Sequence, residues 1–149
     1  MRAVVQRVKE ASCKVDGKTV GKIEKGILLF LGIGKGDEDK DLKYLVDKVL
    51  GLRIFSDDEG KMNLSLEDVE GEILIISQFT LYGDARKGKR PSFSNSSSPE
   101  IGEAYYKQFI EEVRSRGIKA ETGVFGADMD IQLINDGPVT ILLDSEKIF

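Results

Sequence analysis

Three short stretches carry side chains arranged for chemistry. Ser77-Gln78-Phe79-Thr80 sets two hydroxyls and an amide where a buried apolar run becomes exposed. A Thr hydroxyl without a general base is a poor nucleophile, so the chemical roles open to this run are hydrogen bonding and stabilisation of a developing oxyanion. The same residues would also serve as a plain strand end, with Gln78 and Thr80 on one face and Ser77, Phe79 and Leu81 on the other. Next, Arg86, Lys87, Lys89 and Arg90 crowd four cations into a chain whose formal charge is -4. Their charge is local and suits a phosphate backbone, although a solvated loop reads the same way; Phe93 and the serines around it are compatible with nucleic acid without requiring it. Finally, Gly137-Pro138 in NDGPVT must occupy a turn or bulge, either as an ordinary turn or with a cis bond that sets its two carbonyls side by side as a rigid acceptor pair.

What the chain lacks narrows the chemistry further. Its 149 residues include no His, no Trp and one cysteine, Cys13. Without His there is no Ser-His-Asp or Cys-His relay, no H-E-x-x-H zinc site and no imidazole proton shuttle. One thiol excludes an intrachain disulfide and a Cys-rich metal cage, so neither metal nor cofactor is expected. Cys13 shares one strand face with Ala11 and Val15 and reads as a core filler. The glycine-rich run Gly32-Ile33-Gly34-Lys35-Gly36 lacks phosphate-loop spacing and is followed by Asp37, Glu38, Asp39 and Asp41, which would repel a phosphate; it reads as a turn and helix cap. Those acids are not a calcium loop, because Leu42 stands where the tight turn needs Gly. Asp57-Asp58-Glu59, followed by Gly60, reads as a hairpin turn.

The elements that must hold these stretches follow from periodicity. With 40% apolar and 32% charged residues, the composition fits one soluble domain spanning residues 1–149. From Met1 to Gly32 the alternation AVVQRV and ASCKVD, a turn at Asp16-Gly17, and the buried run GILLFLGIG predict a strand meander. Leu42, Leu45, Val46, Val49 and Leu50 predict an amphipathic helix over 37–52. LRIF reads as a strand, SDDEGK as a turn, and a buried strand runs from Glu72 through Ile76 into SQFTLY. A long polar loop over 83–99 leads into a second amphipathic helix with Ile101, Ala104, Tyr105, Phe109, Ile110 and Val113 on its apolar face, ending at Gly117. Strands follow near 118–122, 129–134 and 139–143, the last two joined by Asn135-Asp136-Gly137-Pro138. Strands grouped rather than alternating with helices predict an α+β fold, a largely antiparallel sheet or half-open β-barrel with two amphipathic helices. The start MRAVVQRVKEAS is too short and too interrupted by charge for a signal peptide or membrane span, which points to the cytoplasm.

MRAVVQRVKEAS, LRIF, GKMNLSL, SQFTLYGD, RPSF, TGVFGADM and NDGPVT, in this order, resemble the D-aminoacyl-tRNA deacylases, also called D-tyrosyl-tRNA deacylases, over almost the whole chain. The resemblance implies hydrolysis of the ester joining a D-amino acid to the 3′ end of tRNA, with mischarged glycyl-tRNA as a second substrate. It implies a homodimer whose active site lies at the interface, lined by SQFT of one subunit and entered by the Gly-cisPro dipeptide of the other. Carried over, Ser77, Gln78, Phe79 and Thr80 face the ester, and Gly137 and Pro138 exclude L side chains through their backbone. Phe125, Gly126, Ala127 and Met129 border the terminal adenosine and the amino acid, and Arg7 braces the Gly-Pro segment. Arg86, Lys87, Lys89 and Arg90 are expected on the tRNA backbone. One departure is NSSS at 95–98, more polar than the small apolar residues expected there.

Overall fold

The computed structural model describes residues 1–149. β1 (Arg2–Val15) reverses at Asp16-Gly17, where φ is +50° and +75°, into β2 (Lys18–Ile23). Two consecutive positive φ values give the turn whose twist matches a hairpin, and Asp-Gly adopts it cheaply. β3 (Gly26–Gly32) does not turn back again as a meander would. Ala11 pairs with Ile23 and Val8 with Gly26, so β2 and β3 lie in succession along the same edge of β1. Glu24 and Lys25 between them only bend the chain, since neither residue supplies the φ > 0 that a two-residue reversal needs.

On the other edge of β1 lies β8 (Asp130–Asp144), antiparallel along almost its full length. The two strands expected on either side of NDGP are thus one strand with a bulge. β8 passes from Asn135 to Thr140 while β1 passes only from Val8 to Gln6, and the surplus residues carry Gly137-Pro138 out of the ladder. Proline has no N–H to offer the ladder, which is why the pairing breaks there. The Asn135 side chain closes the bulge by accepting from the Val139 N–H at 2.8 Å.

β6 (Glu72–Ser77) then pairs with β3, and β7 (Ala120–Thr122) with β6, both parallel. β3 and β6 are buried on both faces, which explains their unbroken apolar runs against the alternation of β1. The sheet curls until β2 meets β7, where a Cβ on Gly21 would sit 2.5 Å from the Thr122 carbonyl oxygen, giving a nearly closed mixed barrel. Inside it Val8, Ala11, Cys13, Leu28, Leu74 and Ile76 form a small core, and burial pushes the Cys13 thiol pKa up. The larger core, with Leu29, Ile73 and Ile75, lies between the outer face of the sheet and the two helices.

α1 (Asp39–Gly51) buries Leu42, Leu45, Val46 and Val49 as its spacing predicts. The glycine-rich run before it is a turn, in which the Gly34 N–H donates to the Asp37 carboxylate at 2.6 Å and the Lys35 N–H to the Asn95 carbonyl at 2.8 Å; the helix is capped by Glu38, whose N–H donates to the Asp41 carboxylate at 2.9 Å. LRIF is strand only at its end, where β4 (Phe55–Ser56) pairs with β5 (Met62–Leu64); Asp57 accepts from the N–H groups of Glu59 and Lys61 in the intervening turn. α2 (Pro99–Ser115) differs in phase from its expected face. Gly102 and Tyr106 are buried with Phe109, Ile110 and Val113, while Ile101 is 52% exposed. Gly102 moves the face by having no side chain, because a Cβ there would lie 3.0 Å from Ser97 Oγ and 3.4 Å from the Phe125 ring.

The seam and the helix end give opposite expectations for the same substitution. Gly21→Ala must push against backbone in β7 and should lower the unfolding free energy by about 1–3 kcal/mol. Gly51→Ala meets no atom within 4 Å and should raise it by up to about 1 kcal/mol. Urea titration of both variants checks the signs; equal values would mean that the barrel does not close there.

Candidate active site

β3, β6 and β7 point the same way, and beyond their carboxyl ends lies a cleft of about 620 Å³. Crevices at the carboxyl ends of parallel strands are common binding sites, because connecting segments diverge there and leave backbone groups free. Ser77, Gln78 and Phe79 form one wall, and Phe125, Gly126, Ala127 and Met129 another. The amino-terminal turns of α2 close the third side with Ser98, Pro99, Gly102 and Tyr106. The cleft is therefore aromatic in body, with hydroxyls and one amide at its rim; its one carboxylate is Asp128. Tyr106, its phenol pKa pushed up by burial, donates to the Ile75 carbonyl at 2.7 Å and tilts against Phe125 with ring centroids 5.9 Å apart.

The SQFT run does not continue the strand. β6 ends at Ser77, and Phe79–Tyr82 forms a single 3-10 turn. The Gln78 N–H still pairs with Leu31 O at 2.8 Å, but the Leu81 N–H turns back to Gln78 O at 3.2 Å. The turn forms because Gly32 and Gly34 leave room for it. A Cβ on Gly32 would lie 2.9 Å from Gln78 O and 3.2 Å from Leu81 Cβ, and a side chain on Gly34 would run into the Tyr82 hydroxyl. Two-fold alternation is lost, yet the Gln78 amide does donate to the Thr80 hydroxyl. Thr80 is exposed and does not line the cleft. Burial raises the pKa of the Tyr82 phenol, and the nearby carboxylates of Asp37 and Asp144 add to the effect.

Gly137 and Pro138, joined by a cis bond, are exposed and do not line their own chain's cleft. Buried Arg7 anchors the bulge from behind: Nε donates to Asp136 O at 2.9 Å, and Nη1 donates to Ile54 O of the segment leading into β4. A Cβ on Gly137, at φ +145°, would meet Val139 Cγ2 at 2.8 Å and Arg7 Nη2 at 3.1 Å.

The loop after the turn is closed by paired hydrogen bonds between Asp84 and Ser92 and pinned to the cleft by Phe93, whose ring meets Phe79 edge-on at 5.1 Å. Of its cations, Arg86 is engaged, donating to both Asp84 carboxylate oxygens at 2.9 and 2.7 Å. Lys87, Lys89 and Arg90 are exposed. Sequence reasoning did not pick out Gly102, Tyr106 or Asp128 as cleft residues. The glycine inside an otherwise regular helical pattern was the available signal.

Residues 4–144 match the sequence model of the D-Tyr-tRNA(Tyr) deacylase family. The chain belongs to that family. It is similar over its whole length, and theirs, to proteins named D-aminoacyl-tRNA deacylase from Thermosipho africanus, at 59% identity, and Fervidobacterium nodosum, at 61%. Among solved structures, one named c-Myc DNA Unwinding Element Binding Protein superposes with a TM-score of 0.92 at 43% identity, covering 97% of this chain and 98% of that one. A probable eukaryotic D-amino acid tRNA deacylase shares the fold at a TM-score of 0.81 and 23% identity, covering 95% of this chain and 97% of that one. The deacylase-family fold in this chain is thus the mixed barrel with two helices described above.

The Asp84–Arg86 clamp has a measurable signature. The guanidinium holds the Asp84 carboxyl at about 2, against about 3.9 for a free Asp side chain. A lowered folded-state pKa means that the clamp supports the loop above about pH 4 and is lost as pH falls through about 2. Carboxyl NMR titration should show Asp84 returning to the ordinary range in Arg86→Ala; an unchanged midpoint would remove the clamp.

Proposed function

We propose that this protein hydrolyses the ester of D-aminoacyl-tRNA, releasing free D-amino acid and tRNA. The observation that carries the reading is the SQFT turn at the mouth of an aromatic cleft, in a chain 59–61% identical along its length to proteins named for that reaction. Water adds to the ester carbonyl, the carbonyl oxygen takes the negative charge, and the terminal ribose leaves with a proton. The N–H groups of Phe79 and Thr80 open the 3-10 turn and have no acceptor within it, which makes them donors for that oxyanion. Ser77 and Gln78 orient the ester from the cleft wall, and the Gln78–Thr80 hydrogen bond holds the pair in register. Phe125, Gly126, Ala127 and Met129 take the terminal adenosine.

No side chain of this sequence is a histidine, and an aminoacyl ester is already activated and carries a neighbouring 2′-OH. The RNA therefore assists its own cleavage while the protein fixes the geometry. Thr80 as a covalent nucleophile is the competing route, and its hydroxyl, bonded to the Gln78 amide and not to a base, favours the RNA-assisted one.

The chiral filter comes from a second copy. Gly137 and Pro138 are exposed on a bulge braced by Arg7, apart from their own cleft, so they can enter that of a partner. An L side chain would meet that backbone, whereas D side chains point away and glycine, having none, passes the filter. An apolar cross-strand row, Leu142–Val4–Phe30–Ile76, runs from an exposed leucine to the cleft and offers the contact surface. Lys87, Lys89 and Arg90 take the RNA backbone, with Arg86 shaping the loop that presents them. Such a substrate places the enzyme's work in the cytoplasm.

Deacylation of D-Tyr-tRNA and L-Tyr-tRNA, measured side by side, tests the reading, and rapid loss of the D ester alone is expected. A 2′-deoxy terminal adenosine should slow it by about 100-fold or more; a trappable acyl-enzyme would transfer the role to Thr80. Subunits carrying Gln78→Ala and Gly137→Val, each inactive alone, should recover activity when mixed if the site is shared. Tight tRNA binding with neither ester hydrolysed would favour a nucleic-acid-binding role, as the name of the 43% identical structure suggests for that protein.

A further inference from the structure

Arg2 lies at the start of β1, paired on one side with Gly32 and on the other with Asp144. Its guanidinium makes three contacts at once. Nε donates to Asp144 Oδ2 at 2.9 Å, Nη1 donates to Leu81 O at 3.1 Å, and the guanidinium carbon stands 4.6 Å from the centre of the Tyr82 ring. Asp144 is itself buried, with its side chain 3% exposed, so the fork is held from behind by a fixed carboxylate. Tyr82 has Arg2 against its ring and the bare backbone of Gly34 at its hydroxyl. Leu81 and Tyr82 are the last two residues of the 3-10 turn that begins at Phe79.

The short turn has little to hold it in place. Its internal bonds are of the i→i+3 type, which are weaker than those of an α-helix, and its residues are exposed or only half-buried. Gly32 and Gly34 shape the floor beneath it but exert no pull. Arg2 supplies the missing restraint by tying the far end of the turn to β8 through Asp144 and to β1 through its own backbone. We infer that Arg2 is a positioning residue for hydrolysis, fixing the carboxyl end of the turn so that the N–H groups of Phe79 and Thr80 at its amino end keep their aim. This rests on the reading of that turn as the reacting element. Neither Arg2 nor Tyr82 lines the cleft, so the effect passes through the turn and not through contact with the substrate. A lysine can replace Arg2 only in part, because one ammonium cannot bind the carboxylate and the carbonyl in a fixed fork and also stack on the ring.

The test joins kinetics to amide exchange on the full-length protein, well below its unfolding midpoint. In Arg2→Ala, kcat on D-Tyr-tRNA should fall about 10- to 100-fold while KM stays within about threefold. Exchange at 78–83 should quicken about tenfold or more while the central strands keep their protection. Arg2→Lys should recover part of the loss, Tyr82→Phe should act like the parent, and Arg2→Ala with Tyr82→Ala should be no worse than Arg2→Ala alone. Unchanged exchange at 78–83 would overturn the proposal, as would a faster rate spread evenly over the whole sheet. A rise in KM alone, with a weaker dependence on salt, would make Arg2 a direct phosphate contact and overturn it too. Faster exchange with kcat intact would overturn both the proposal and the catalytic reading of the turn. An inactive parent would show failure of that reading by itself.

Discussion

The parallel pairing of β3 with β6 sets Leu31 beside Ser77 across all of α1 and the β4–β5 hairpin. Both strands are buried on both faces, so the pairing separates the two apolar cores while belonging to each. Hydrophobic burial at roughly 25 cal/mol per Å² drives such a strand inward, but it does not say where the strand must stop. The stop is set at Ser77, where the Gln78 N–H takes the last carbonyl of the ladder and the chain folds under itself over two glycines. β7 pairs with β6 in the same direction, which brings residues 125–129 to the same end of the sheet. The cleft is what remains where three strands end together and α2 begins.

A second constraint acts on the opposite edge of β1. β8 follows β1 almost from end to end, and only the Asn135–Thr140 bulge departs from it. That bulge is held by one buried arginine and one asparagine side chain, and it faces outward. The 3-10 turn and the Gly137-Pro138 bulge are therefore both tied to β1, through Arg2 at one point and Arg7 at another, on a strand that is itself deeply packed. Rigid support suits a site whose proposed work is orientation, because small displacements of hydrogen-bond donors cost more rate than a change of side-chain chemistry would restore. Lys87, Lys89 and Arg90 stand exposed together on the loop beside the cleft.

Much of the architecture was legible in the sequence because it rests on local rules. The i, i+3, i+4, i+7 spacing of α1, the Asp16-Gly17 hairpin, the continuous apolar run of β3 and the turn at Gly34–Asp37 all formed as their residues required. The readings that failed were those decided at a distance. Period two carried past Ser77 was wrong because Gly32 and Gly34, far away in the chain, make room for a turn. The face of α2 was misjudged at Ile101 and Ala104, while Tyr105 does pack against the core, because a glycine counts for nothing on a hydrophobicity pattern and yet permits the closest approach. The meander did not survive, and the two tail strands formed but as one bulged strand, since which edge a strand joins depends on the whole sheet.

The sequence by itself determined the chemistry that is open to this protein: no imidazole, one buried thiol, and two motifs specific enough to name a family. Residue types and short spacings are local quantities and need no fold to be read. Only the tertiary structure decided that SQFT is a turn over two glycines, that Tyr106 and Gly102 build its opposite wall, and that Gly137-Pro138 stands away from the cleft of its own chain. Only it showed that Arg86, exposed like its neighbours, is paired with Asp84. These are distances between residues remote in the chain, and they are fixed by which strands pair and which faces pack, a property of the sheet as a whole.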